Sequence, residues 1–315
     1  MSASGLNLAA PSVPRLRIAL WVILALIAAE VITGVVSGSL ALLGDAGHLL
    51  TDVATLALAW YGVARARRHA TAGHTFGFHR TGTLVAVLNG ALLILVAALI
   101  AVAAVLRLQN PVAISALPVI VVAAVAVVID TGLALVLRDA GAELSIRSAA
   151  LHVIADAFTA AGVVVSGTVI LATGWRFADP ITSLVIAALI ALAGIGVVRE
   201  AAHILAEATP RDLDADAVSD AIVQTPGIEG VHDLHIWSLD RRHRALSAHV
   251  AVADQPLADI TLLLQRLETS LCERFGIEHA TLQPECPSCV DDAALYCDID
   301  TRHTLVHAGA AHEQP

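Results

Sequence analysis

Residues 44–52, GDAGHLLTD, place two side chains that commonly ligate metals inside a segment that is otherwise soluble in lipid. Apolar residues dominate from position 40 to position 63, a length sufficient to cross the hydrocarbon core of a bilayer as a helix. His48 and Asp52 lie four residues apart, so they project from one face of that helix. Because ionisable residues at membrane depth are costly and mark ion or proton pathways, this pair is a candidate cation site.

A second segment, residues 148–173, repeats the pattern with His152 and Asp156. Two His-x-x-x-Asp pairs supply two imidazole nitrogens and two carboxylate oxygens, donors that suit a tetrahedral Zn²⁺ site. The two carboxylates cancel the charge of a dication, and an uncharged complex is the form that an apolar interior holds best. The alternative is that each pair only hydrogen-bonds across a helix interface. The duplication favours a metal site whose ligands are His48, Asp52, His152 and Asp156.

The same donors predict a transport mechanism. Without metal, two neighbouring carboxylates in an apolar setting attract protons, so metal and protons should compete for the site. A site that faces the two sides of the membrane in turn would exchange metal for protons, which makes metal–proton antiport the expected activity. Imidazole favours Zn²⁺ over Mg²⁺ and Ca²⁺, and Cd²⁺ and Co²⁺ stay open as alternative cargo.

The overall composition indicates a polytopic membrane protein. Of the 315 residues, 57% are hydrophobic and only 15% are charged, which is too apolar for an ordinary soluble domain. The lipid bilayer is therefore an expected partner. The formal net charge of −10 argues against nucleic acid as a partner.

Six apolar runs predict six spanning helices, since a helix satisfies its own backbone polar groups within lipid. They are residues 18–37, 40–63, 81–106, 116–137, 148–173 and 180–198. With the N-terminus inside, nine arginines fall at cytoplasmic ends and loops and two on the opposite side. The positive-inside rule therefore places both termini in the cytoplasm. The absence of lysine and the abundance of Ala and Arg suggest a bacterial protein of the plasma (inner) membrane.

The chain divides into four predicted regions. They are a short cytoplasmic segment (1–14), an all-α six-helix transmembrane domain (15–208), a cytoplasmic domain (209–290) and a polar tail (291–315) that we expect to be disordered. The residue patterns of the cytoplasmic domain predict an α+β unit with helices on one face of an antiparallel sheet. Its elements are a helix at 212–224, strands at 231–239 and 245–252, a helix at 257–275 and a strand at 279–283.

Further candidate ligands lie outside the spans. His232 and His249 fall on predicted strands, and Cys286 and Cys289 form a Cys-x-x-Cys pair after the last strand. Such a pair is a common half of a zinc site, although plain surface thiols are the alternative. A reducing cytoplasm disfavours a disulfide between them. His74, in the loop after the second span, is either a loop metal ligand or part of a basic cluster that faces lipid headgroups.

Longer motifs resemble a known family. Residues 39–52, SLALLGDAGHLLTD, are similar to the second-helix signature of the cation diffusion facilitators of the zinc-transporting kind, and residues 151–156, LHVIAD, to the fifth-helix signature. The motifs FGFHR at 76–80, DP at 179–180 and VHDL at 231–234 also match. The resemblance therefore covers nearly the whole chain.

The resemblance implies a homodimeric, proton-coupled zinc exporter. Its transport ligands carry over onto His48, Asp52, His152 and Asp156. A ferredoxin-like, metallochaperone-like cytoplasmic domain would help the protein dimerise and would bind zinc as a structural or regulatory ion. His232 and His249 are similar to ligand positions of that domain. At the loop site of some bacterial relatives His74 is present, but Phe78 replaces its companion His.

Three more acidic residues fall inside predicted spans: Glu30, Asp45 and Asp130. Asp130 is the only formal charge in its span, so it serves either a proton or metal path or a hydrogen bond between helices. For Glu30 and Asp45, support of the site or helix packing is favoured over direct ligation.

Two other functions fit parts of the sequence. An intramembrane zinc hydrolase needs an open coordination position and a separate general base, typically within a His-Glu-x-x-His motif that this sequence does not contain. A metal-sensing membrane scaffold has no use for ligands inside its spans. The sequence therefore predicts a transporter rather than an enzyme.

Overall fold

The computed structural model describes residues 13–66, 70–139, 144–286 and 295–296, without the side chains of 13–19 and 136–152 and of eight positions between 56 and 66. The predicted segment 1–14 and tail 291–315 therefore lie almost entirely outside the described residues. Two compact units form: residues up to Trp60 with Val85–Val198, and Tyr61–Leu84 with the residues from Arg199 onward.

Six long helices make up the N-terminal two thirds of the chain. They are α1 (Val13–Ser37), α2 (Leu40–Ala66), α3 (His79–Gln109), α4 (Ala116–Asp139), α5 (Leu144–Thr173) and α6 (Ala178–Leu205). Large apolar side chains such as Val36, Val128 and Leu192 are exposed on them, as is normal where the surrounding medium is lipid. Among the described residues, five of these helices contain a stretch long and apolar enough to cross a membrane, and α2 is the exception. A helical membrane domain is thus confirmed, and a span at α2 stays a prediction.

Small residues let the helices of the first unit approach closely. A Cβ added to Gly90 on α3 would lie 2.9 Å from the carbonyl oxygen of Gly194 on α6, and a Cβ on Gly194 would lie 2.9 Å from the carbonyl oxygen of Gly90. Two backbones in contact in this way are typical of helix pairs inside membranes. Leu42, Ile186 and Ile190 belong to the apolar core of this unit, and none of them is more than 2% exposed.

The second unit contains the predicted α+β domain, in the predicted order of elements. It is built from α7 (Ala215–Val223), β1 (Ile228–Ser238), β2 (Arg244–Val252), α8 (Leu257–Phe275) and β3 (Ile277–Glu285). Leu263, Leu267 and Leu271 repeat every four residues on α8, so they form one buried stripe against the sheet. The chain leaves α8 through Gly276, whose φ of 65° suits a glycine that ends a helix.

The expectation of an antiparallel sheet is wrong for one of its two strand pairs. The strand order is β1-β2-β3; β1 is antiparallel to β2, whereas β3 is parallel to β2. A short turn joins β1 to β2, which requires antiparallel pairing, but α8 carries the chain back along the sheet before β3 begins. The helical crossover therefore makes the second pair parallel.

Candidate metal centre

Asp179 at the start of α6 fixes the point at which α2 begins. Its carboxylate accepts hydrogen bonds from the Ser39 hydroxyl at 2.5 Å and from the backbone amide of Leu40 at 2.8 Å, and Arg107 lies 3.7 Å away. The first backbone amides of a helix have no hydrogen-bond partner within the helix, so a buried carboxylate at this end can accept their hydrogen bonds. The negative charge of the carboxylate also interacts favourably with the positive end of the helix dipole. Residues 48 and 52 lie two and three turns further along α2, so their depth depends on this cap.

The first metal-type cluster, meaning a group of at least three His, Cys, Asp or Glu side chains close enough to hold one metal ion, joins α2 to α5. The His48 Nδ1 atom lies 3.7 Å from the Asp52 carboxylate, and its Nε2 atom lies 3.2 Å from Asp156 on α5. One ligand atom of each of the three residues lies within 4.8 Å of the others. The imidazole therefore stands between two carboxylates in a site whose side chains are only 10–25% exposed.

His152, the fourth predicted ligand, lies on α5 one turn before Asp156, but its side chain is outside the described residues. The structure thus brings three of the four predicted ligands together and is silent on the fourth.

Thr159 links the same two helices next to this cluster. Its hydroxyl lies 2.9 Å from the Asp45 carboxylate on α2 and 2.8 Å from the Asp156 carbonyl one turn back on α5. Asp45 is 3% exposed. This contact places Asp45 beside the cluster as a residue that holds α2 against α5, which matches the supporting position expected for it.

The other two intramembrane acids are also buried. Glu30 on α1 is 0% exposed, and both of its carboxylate oxygens have no hydrogen-bond partner among the described residues. Asp130 on α4 is 7% exposed. The electrostatic neighbours of Glu30 are Asp45 and Asp130, and those of Asp130 are Asp156 and Asp45. Four buried acids, one on each of four helices, therefore lie within electrostatic range of one another, and Asp156 of the cluster is among them.

A second cluster lies on the open face of the cytoplasmic sheet. His232 on β1 pairs with His249 on β2, with ring centroids 5.1 Å apart. Glu285 at the end of β3 lies 3.1 Å from His232 and 2.7 Å from His249. A bulge after His232, where Asp233 has a φ of 52°, turns the Asp233 carboxylate to within 3.5 Å of His249.

Glu285 is a ligand-type residue of this cluster that the sequence patterns missed. The predicted strand 279–283 stops two residues early, whereas β3 continues to Glu285. In the observed register Glu285 pairs with Ala251, two residues beyond the Gln283–His249 pair, and its side chain reaches both histidines. Strand alternation carried two residues further would have placed Glu285 on the face of Gln283, which pairs with His249.

The other three predicted ligands, Cys286, Cys289 and His74, are not part of a metal-type cluster among the described residues. Cys286 is disulfide-bonded, contrary to the expectation of reduced thiols, and a sulfur in that state is not a thiolate ligand. Cys289 lies outside the described residues. His74 is exposed, its ring is stacked on Phe78 with centroids 4.4 Å apart, and it joins none of the metal-type clusters found among the described residues.

Comparisons with known proteins cover most of the chain. Residues 16–206 match the family "Cation efflux transmembrane domain", and residues 210–286 match "Cation efflux protein, cytoplasmic domain". The cadmium, cobalt and zinc/H(+)-K(+) antiporter of Bacillus subtilis is 36% identical over 272 residues, which are 85% of this chain and 87% of the relative. The zinc transporter ZitB of Pectobacterium atrosepticum is 35% identical over 303 residues, 95% of this chain and 93% of the relative.

A solved structure, the metal-bound C-terminal domain of the CzcD transporter from Cupriavidus metallidurans, is 34% identical. The matched region covers 23% of this chain and 99% of the solved domain, with a TM-score of 0.21.

The two family matches agree with the membrane and cytoplasmic parts of the fold. The relatives are transporters, which confirms that the chain is not an enzyme and removes the hydrolase alternative. With a family match over 191 residues of its N-terminal part alone, the chain belongs to the cation efflux family of membrane transporters, the cation diffusion facilitators that its helix signatures resemble.

Proposed function

We propose that this protein exports Zn²⁺ from the cytoplasm in exchange for protons, with His48, Asp52, His152 and Asp156 as the ligands of the transported ion. The observation that carries the proposal is the position of the His48 imidazole between the carboxylates of Asp52 and Asp156. The names of the relatives support zinc, with cadmium and cobalt as further cargo.

The donor set explains why zinc fits. Two neutral imidazoles and two carboxylates suit the tetrahedral geometry of Zn²⁺, whereas Mg²⁺ and Ca²⁺ prefer six or more oxygens. Four protein ligands leave no open position for a reactive water. The filled site is formally neutral, which lets it change its exposure from one side of the membrane to the other without carrying a bare charge through lipid.

The same atoms explain the exchange with protons. At 3.2 Å, the His48 Nε2 atom and the Asp156 carboxylate are close enough to share a proton. Because Zn²⁺ must displace that proton to bind both groups, metal binding releases protons and proton binding releases metal. An alternation in which the site loads zinc from the cytoplasm and protons from the opposite side therefore yields antiport.

Transport in reconstituted vesicles tests this assignment. With the purified protein in liposomes that contain a zinc dye and a pH dye, Zn²⁺ uptake should accompany proton movement in the opposite direction. Asp156→Asn keeps the size of the side chain but removes the negative charge, so both signals should fall by at least about 10-fold. Asp259→Asn, a change to an exposed acid on α8, is the matched control and should transport normally. Normal transport by Asp156→Asn would refute the site.

The membrane topology is part of the proposal. The distribution of arginines supports a plasma-membrane protein with six spans and both termini in the cytoplasm. The family matches at 16–206 and 210–286 support the division into domains at 15–208 and 209–290. A fluorescent protein fused to the C-terminus should fluoresce and alkaline phosphatase fused there should be inactive; active phosphatase would contradict the topology.

We also propose that the cytoplasmic domain forms the homodimer contact and binds a regulatory zinc ion at His232, His249 and Glu285. Two imidazoles and a carboxylate within 4.8 Å of one another are a suitable donor set for zinc. His249→Ala should lower the number of zinc ions bound per chain by one, measured on the full-length protein after dialysis. An unchanged zinc content would contradict the regulatory site.

A further inference from the structure

A third cluster of metal-type side chains lies inside the second compact unit, apart from both sites above. It joins His79, the first residue of α3, to Asp240 and His243 in the turn between β1 and β2. The His79 Nδ1 atom lies 3.0 Å from Asp240 Oδ2, and the His243 Nδ1 atom lies 2.9 Å from the same oxygen. The two rings approach each other with centroids 4.6 Å apart.

The Asp240 carboxylate is held in place before any ligand arrives. Its Oδ1 atom accepts hydrogen bonds from the backbone amides of Arg242 at 2.7 Å and His243 at 2.8 Å. Oδ2 therefore remains directed at the two imidazoles. A carboxylate whose orientation is fixed by the backbone loses little freedom when it binds a cation, which favours affinity.

The charge of Asp240 also suits a cation. Burial by itself raises the pKa of this carboxyl, but hydrogen bonds from the Arg242 and His243 amides and from the two imidazoles outweigh burial and lower the pKa from its ordinary 3.8 to about 2. The group is thus an anion at neutral pH.

His243 has an orienting partner on its other nitrogen. Its Nε2 atom lies 3.6 Å from the Glu278 carboxylate on β3. Histidines that ligate metals commonly present their second nitrogen to a carboxylate, which fixes the tautomer and makes the ligating nitrogen more basic. The side chains of His79, Asp240 and His243 are 21–39% exposed, so an ion can reach them from water.

From this geometry we propose that His79, Asp240 and His243 form a third divalent-cation site, selective for Zn²⁺ or Co²⁺, that ties the beginning of α3 to the β1–β2 turn. The ligand atoms are Nδ1 of both histidines and Oδ2 of Asp240, and water completes the four-coordinate sphere. The three ligand atoms lie within 4.8 Å of one another. The two Nδ1–Oδ2 distances, 3.0 and 2.9 Å, are close to the spacing of about 3.3 Å between the ligands of a tetrahedral zinc ion. Two imidazoles with one carboxylate disfavour Mg²⁺ and Ca²⁺.

An ion here would have a mechanical consequence. α3 continues from His79 to Gln109 as a candidate membrane span, whereas Asp240 and His243 lie in the turn between strands β1 and β2. Zinc at this site would hold the first turn of that helix to the turn of the sheet. The inference does not require the transport ligands, because none of the three residues belongs to that cluster.

The experiment measures Co²⁺ and Zn²⁺ binding to full-length protein in detergent. The background variant carries Asp52→Ala, Asp156→Ala, His232→Ala and His249→Ala, which together disable the other two clusters. We expect this background to bind one Co²⁺ per chain with the visible absorption spectrum of tetrahedral coordination, and Zn²⁺ to displace it. Adding His79→Asn or His243→Asn should weaken that binding by at least about 10-fold.

His279→Asn in the same background is the matched control. His279 is an imidazole of the same unit that packs against Phe76, and it belongs to none of the clusters found in the part of the chain that the structure describes. It should leave Co²⁺ binding unchanged. His243→Asn changes the turn itself and could disturb the sheet, whereas His79→Asn changes a residue outside the turn and the sheet. A thermal melt of each variant shows whether it is folded.

Two results would overturn the proposal: a background variant that binds no Co²⁺, or His79→Asn and His243→Asn variants that bind Co²⁺ as the background does. In the first case the cluster is only a hydrogen-bonded support for the turn. Failure of the transport assignment would leave this result unaffected, because the background already lacks the transport ligands.

Discussion

His48 and Asp179 each connect α2 to another helix through buried polar contacts. His48 touches two carboxylates from two helices, and Asp179 satisfies the open end of the helix that carries His48. The contact between His48 and Asp52 was predictable, because a His-x-x-x-Asp spacing places the imidazole and the carboxylate on one helical face. The role of Asp179 was not, because its partners Ser39 and Leu40 lie about 140 residues away in sequence.

Asp179→Ala should lower the stability of the protein and impair transport. The change leaves the first amides of α2 and the partly buried Arg107 without their carboxylate, at a cost of about 1–3 kcal/mol. Thermal unfolding in detergent should show the loss, and vesicle transport should fall because α2 no longer begins at a fixed point. Asp179→Asn keeps one acceptor oxygen and should lie between the wild type and the alanine variant.

The control for this change is Asp259→Ala, which removes an exposed acid from the first turn of α8. Such a charge contributes at most about 1 kcal/mol through the helix dipole. Equal melting temperatures for Asp179→Ala and the wild type would show that the contact does not hold α2.

At the scale of helices and strands, periodicity predicted which elements exist better than how they pair. The helix at 257–275 was predicted with its exact bounds, and the order of the cytoplasmic elements was correct. The predicted antiparallel direction of β3 was wrong, because alternation of apolar residues is the same in parallel and antiparallel strands. The three-residue cluster at His79, Asp240 and His243 was missed for a related reason: it depends on how a turn and a helix start pack together, which no spacing encodes.

The contact between α3 and α6 yields a second element-scale prediction. In Gly90→Ala, the new Cβ would lie 2.6 Å from the Val198 side chain and 2.9 Å from the Gly194 carbonyl, so the two helices must separate. Overpacking of this kind costs about 1–3 kcal/mol. We expect a lower unfolding temperature and reduced transport.

Gly196→Ala on α6 is the matched control, because its Cβ would meet nothing within 4 Å. Alanine is a better helix former than glycine, so this variant should be as stable as the wild type or more stable by up to about 1 kcal/mol. If Gly90→Ala and Gly196→Ala have the same stability, close backbone contact is not what holds α3 to α6.

At the scale of the whole molecule, the chain combines a helical domain of the cation efflux transmembrane type with an α+β domain of the cation efflux cytoplasmic type. Composition alone indicated the first part, since 57% hydrophobic residues cannot be covered within a soluble fold of this size. In the proposals above, each cluster of histidines and carboxylates is a place where divalent metal and protons compete. The number of protons released per bound zinc ion is therefore a quantity that can be measured for each proposed site.

The most direct measurement is calorimetry of Zn²⁺ binding to the full-length protein across pH and in buffers of different ionisation enthalpy. The wild type should bind Zn²⁺ less tightly as pH falls and should release protons on binding. Asp52→Ala should bind one zinc ion fewer and release fewer protons, because it lacks one carboxylate beside His48. Proton release and zinc stoichiometry identical to those of the wild type would contradict a shared site for zinc and protons between α2 and α5.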